Sequence, residues 1–142
     1  YTQLLKRIYE YAKNPSGEND SDLIIGNAMR RVMEAFSSFF FKVGIDDVSQ
    51  EERILELLPN DDTRIYYRNF MYRLVLHNES HFKQNIQGAP EISFFSHLSS
   101  SDKQRTAKGI LRFIFLLNKA HLLAHLPEAE SDLLIWVEDM GK

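Results

Sequence analysis

Two clusters in this 142-residue chain unite residue types that can move protons and hold phosphate. One is Asn27, Arg30, Arg31 and Glu34; the other is Arg73 followed by His77-Asn78-Glu79-Ser80-His81. Positions three and four apart share a helix face, so Asn27, Arg30 or Arg31, and Glu34 form one polar line. A planar guanidinium there can hold a phosphate, while Glu34 orients it or a nucleophile. Read as plain structure, Arg30 and Glu34 are an intrahelical ion pair worth about 0.2–0.5 kcal/mol when exposed. The imidazole of His81 titrates near neutrality and suits general acid–base work. Its structural reading is a surface or capping residue, and His77, one turn after Arg73, has the same two readings.

The helix bearing the polar line is otherwise apolar on most sides, from Leu23, Ile24 and Ile25 through Met29, Val32 and Met33 to Phe36 and Phe39 to Phe41. That girdle exceeds what contact with a core on one side requires, and predicts a central helix. Charges embedded in such a helix are costly unless paired, so they call for a structural partner or a chemical task.

His121 and His125 stand at i and i+4, a spacing that can grip a metal. The intervening Leu122-Leu123-Ala124 lacks the Glu of the zinc-protease pattern, and the pair reads as core-edge histidines with no metal assigned. There is no Walker-type phosphate loop, Gly-x-Gly-x-x-Gly or nucleophile elbow, which argues against nucleotide hydrolysis by this chain alone.

Helical periodicity dominates the chain, and no alternating run with flanking turns makes a sheet. A first helix is expected over Thr2 to Lys13 and a loop over Asn14 to Asp20. The polar-lined helix should run from about Ser21 to Lys42 and end near Gly44. Ser49 with Glu52 reads as a capping box for a short helix ending before Pro59. A fourth helix begins at Asp61 or Asp62, turns Ile65, Tyr66, Phe70, Met71, Leu74 and Val75 inward, and frays near Asn78. Gly88-Ala89-Pro90 connects to a short helical piece over Ile92 to Leu98. Ser101 with Gln104 opens the longest helix, which should reach Leu126 before Pro127 stops it. A last short helix docks through Leu133 to Val137. The expected architecture is all-α, a bundle of about five to seven helices in a single domain spanning 1–142.

Composition is that of a globular chain, at 44% hydrophobic and 26% charged residues. The run Phe113 to Leu117 falls far short of the roughly 20 residues of a membrane helix, so no membrane partner is expected. Cysteine is absent, which excludes disulfides and thiolate metal sites and agrees with a reducing, cytoplasmic location. The first residue is Tyr, which suggests a piece of a longer polypeptide. Glu128, Glu130, Asp132, Glu138 and Asp139 against Lys142 give the C-terminal segment 128–142 about −4 of the net −3, leaving the body near neutral. Any contact with nucleic acid must then rest on a local patch.

From Ile25-Gly26-Asn27-Ala28-Met29-Arg30-Arg31-Val32-Met33-Glu34-Ala35-Phe36 to Arg73…Asn78-Glu79-Ser80-His81, the chain resembles the carboxy-terminal helical part of bacterial ABC-type ATPases related to the anticodon nucleases. Those nucleases are similar to the HEPN superfamily of all-helical ribonucleases. The resemblance covers a core of about 21–127. It implies a bundle that pairs into a homodimer, with an ATPase module preceding it, and a role in phage defence or stress. It also implies RNA cleavage without metal or other cofactor: a ribose 2′-hydroxyl attacks the adjacent phosphate and leaves a cyclic phosphate end. Carried over by position, Arg30, Glu34 and His81 are the catalytic set, with Asn27, Arg31, Arg73 and Asn78 as substrate contacts. The gap from Arg73 to His81 is longer than the four to six residues usual in the superfamily's Arg-to-His motif. A non-catalytic dimerisation or interaction module of the same ATPase would share the fold.

Overall fold

Leu5, Ile8, Tyr9, Tyr11 and Ala12 recur at helical spacing and are all buried along α1, Thr2–Lys13. The structure is a computed structural model that describes residues 1–14, 19–44, 51–69 and 100–139. Among these residues there are seven α-helical segments and no strand, and no helix is long and apolar enough to cross a membrane.

α2, Asn19–Phe36, packs on α1 through one face, burying Ile25, Ala28, Met29, Val32, Met33 and Phe36. The expected helix to Lys42 does not continue as α. Ser37–Phe41 form a π-helical turn in which the Ser37 hydroxyl donates to the Met33 carbonyl at 2.6 Å, a local bond that competes with the regular ladder. The element ends at Lys42, whose left-handed backbone (φ 57°) stands where a terminal glycine was expected.

A short α3, Glu52–Leu55, starts after Glu51 without a side-chain cap; the expected cap Ser49 lies outside the described residues. α4 covers 61–69, and the Asn60 side chain accepts the Thr63 N–H at 2.8 Å, a helix cap one residue ahead of the expected start. Arg64 joins the two helices, its Nε donating to the Leu55 carbonyl at 3.1 Å and its Nη2 to that of Leu58 at 3.2 Å. The Leu55 carbonyl, which also accepts the Leu58 N–H at 3.0 Å, and that of Leu58 lie at and just beyond the end of α3. Ile65, expected inward, is 56% exposed, and Tyr67 is the residue of α4 that enters the core. Phe70, Met71, Leu74, Val75 and the expected piece over Ile92 to Leu98 lie outside the described residues.

The central helix is α5, Ser100–Leu117, not α2. Residues 109–115 of α5 are buried without interruption, which only a helix contacted on all sides can achieve. α1, α2 and two later helices pack on it, and Tyr67 of α4 donates to the Gly109 carbonyl at 3.0 Å. Gln104, expected in a capping box, instead donates its amide to the Ala12 carbonyl of α1 at 2.7 Å. The expected continuous run to Leu126 is broken at Asn118, whose side chain accepts the His121 N–H at 3.1 Å and starts α6, Lys119–His125. A 3₁₀ turn over Pro127–Ala129 leads to α7, Glu130–Asp139, which docks through Leu133 and Trp136.

Candidate functional site

The face of α2 opposite its core residues carries the polar line. Arg31 and Glu34 are exposed, and Asn27 and Arg30 half-buried. Arg30 Nε lies 3.7 Å from Glu34 Oε1, at the loose end of ion-pair geometry, with the Arg30 side chain 29% and the Glu34 side chain 50% exposed. The Arg30 Nε itself is buried, and the exposure of the pair comes mainly from Glu34. Ala35 is also exposed, and Phe39 is 83% exposed because the π-turn advances it off the buried face. The apolar girdle read as wrapping α2 is therefore one-sided: Arg31 and Glu34 face outward, while Asn27 and Arg30 are half-buried and the Arg30 Nε is buried.

Chemically, this stripe offers a permanently charged fork and a carboxylate, both able to reach a strand laid along α2. His81, Arg73 and Asn78, and with them His77, Glu79 and Ser80, lie outside the described residues.

Two further groupings of polar side chains lie away from α2. At one end of the bundle, Tyr1 and Thr2 of the α1 start meet the two histidines of α6. The Tyr1 hydroxyl is 2.9 Å from His121 Nε2, and Thr2 Oγ1 is 2.5 Å from His125 Nδ1. The imidazoles lie 4.8 Å apart, and Phe40 covers His121 at 4.4 Å between ring centroids. Burial first, then the neighbouring His125, holds His121 below its ordinary pKa, so it is neutral at physiological pH. Burial also pushes the Tyr1 phenol up to about 12, so its hydroxyl keeps its proton. Among the described residues no three His, Asp or Glu gather to hold a metal ion. The i, i+4 spacing signalled the histidine pair, but nothing in it signalled the two hydroxyls more than a hundred positions away.

The second grouping surrounds Arg112, which is 7% exposed in the middle of α5. Its Nη1 donates to the Trp136 carbonyl at 3.2 Å, and its Nη2 lies 3.4 Å from the Tyr66 hydroxyl. Tyr67, stacked on Phe113 at 4.9 Å, is its buried neighbour, and burial raises the Tyr67 phenol far above its ordinary value. The signal in the sequence was a lone charge inside the apolar run from Ile110 to Leu117. Compared with protein-family models, curated proteins and solved structures, the chain finds no match.

Proposed function

We propose that this chain is the all-helical ribonuclease part of a larger cytoplasmic ATPase of phage defence or stress, cleaving tRNA or other RNA without metal. The observation that supports the reading is the Arg30/Glu34 pair on the face of α2 opposite its core residues, at positions that match catalytic positions of the resembling nucleases. In this mechanism His81 takes the proton of a ribose 2′-hydroxyl, whose oxygen attacks the neighbouring phosphorus. The 5′-oxygen of the next nucleotide leaves and takes up a proton. A cyclic phosphate and a 5′-hydroxyl result. Arg30 offsets charge on the phosphorane, Glu34 orients the Arg30 fork, and Asn27, Arg31, Arg73 and Asn78 hold the flanking strand.

The test is cleavage of tRNA and of generic RNA in excess chelator by the wild type, Arg30→Ala and His81→Ala. Cyclic-phosphate ends from the wild type, lost in both variants, support the reading. Equal background from all three ends it.

A second reading, a homodimerisation or interaction module of the same ATPase, draws on Phe39 and on the adjacent exposed pair Leu134 and Ile135 of α7. Light scattering separates this reading: a dimer dissociated by Phe39→Ser, without any cleavage activity, is its signature.

A further inference from the structure

A guanidinium keeps its proton at any pH compatible with folding, so Arg112 is a fixed positive charge inside the central helix. Its hydrogen-bond partners, the Trp136 carbonyl and the Tyr66 and Tyr67 hydroxyls, are all neutral, and its Nε is buried with no hydrogen-bond partner. The ion pairs among the described residues join Arg30, Arg53, Arg64, Arg68 and Lys119 to carboxylates, and none reaches Arg112. A buried charge left in this state costs stability, and an anion would remove the cost.

The surroundings fit one class of anion. Lys108 stands one turn before Arg112 on the same side of α5, its Nζ 5.3 Å from the centre of the Trp136 ring. Two cations at i and i+4 beside a phenol hydroxyl and an indole match a doubly charged tetrahedral oxyanion better than a single carboxylate. Exposed Glu138 and Asp139 follow Trp136 on α7, but neither pairs with Lys108 or Arg112 among the described residues. Tyr66 is half-buried with its ring 6.0 Å from the guanidinium carbon, so the charge lies one side chain below the surface.

We propose that Arg112, Lys108 and the Tyr66 hydroxyl form a phosphate-binding site between α4, α5 and α7, with rotation of the Tyr66 ring admitting the anion. The site is separate from the polar line of α2 and does not require the chain to cleave RNA.

Trp136 is the sole tryptophan and reports on the site directly. Inorganic phosphate, a 5′-nucleoside monophosphate, a short oligoribonucleotide and acetate are titrated at constant ionic strength, following Trp136 emission and thermal midpoint. Saturable emission change and a raised midpoint are expected with phosphate but not acetate. A response to inorganic phosphate alone identifies the free ion as ligand; a stronger one to the monophosphate or the oligonucleotide identifies a nucleotide or a strand. Arg112→Met should abolish the response while folding at least as stably as the wild type in phosphate-free buffer. Lys108→Met and Tyr66→Phe should each weaken binding, the lysine variant by about tenfold, the loss expected for one charge-assisted contact. No saturable response, a response only to acetate, or unchanged affinity in both Lys108→Met and Tyr66→Phe overturns the proposal even if Arg112→Met fails to fold.

Discussion

Arg112 Nη1 lies 3.2 Å from the carbonyl oxygen of Trp136, tying the centre of α5 to the last helix. The contact joins a side chain from the middle of α5 to a backbone carbonyl in the last turn of α7. The guanidinium thus couples the docking of α7 to a charge buried in the core. That arrangement makes α5, through its packing on α1, α2, α6 and α7, the element on which the rest of the bundle depends.

Tyr67 makes the corresponding link from α4, and its hydroxyl can be removed without a change of shape. Tyr67→Phe should lower unfolding stability by about 1 kcal/mol, the ordinary worth of one buried hydrogen bond. Tyr67→Ala, which also empties the contact with Phe113, should cost about 3–5 kcal/mol. Urea unfolding of the three proteins measures both differences, and equal losses would show that the hydroxyl, not the ring, carries Tyr67's role.

Asn118 separates α5 from α6 by accepting the His121 N–H. Asn118→Ala should cost about 1 kcal/mol as a lost helix cap, read by chemical denaturation. Unchanged stability would mean that the two helices can run on as one.

The clasp at Tyr1 and Thr2 makes stability depend on pH. His121 has a lowered pKa in the folded chain, so the unfolded chain binds more protons as the solution is acidified. Its contribution is full above the unfolded value of about 6.5 and is lost as pH falls through the lower folded value. Around it stand His125 on its own helix, the Tyr1 phenol from α1, and the uncharged rings of Phe36 and Phe40. Thermal midpoints between pH 7.5 and 5.5 should fall by a few degrees more for the wild type than for His121→Gln. Parallel curves would remove His121 as the cause.

Arg30 and Glu34 should separate stability from activity. Because their pair is loose and Glu34 is half exposed, Glu34→Ala should change unfolding free energy by less than about 0.5 kcal/mol. Cleavage should fall by about a hundredfold or more in Arg30→Ala if the fork stabilises the phosphorane. A stability loss of several kcal/mol with cleavage intact would assign the pair to structure instead.

What the sequence determined by itself was local: helix class from the recurrence of Leu4, Leu5, Ile8, Tyr9 and Tyr11, the extent of α1, the stop at Pro127, and the polar line of α2 as a shared face. These follow from backbone geometry within a few residues, which neighbours in sequence dictate. Which helix became central was decided by tertiary packing, because counting apolar residues could not tell α2 from α5. The π-turn after Phe36 rotated Phe39 into solvent, and Asn118 cut one long helix into two, each through a single side-chain bond to the backbone. An embedded charge does need a partner, but the charge most deeply embedded in a helix is Arg112 and not Arg30. Packing on all sides of α5 embeds Arg112, and the meeting of Tyr1 and Thr2 with His121 and His125 arose the same way, from the burial of a common core by residues far apart in the chain.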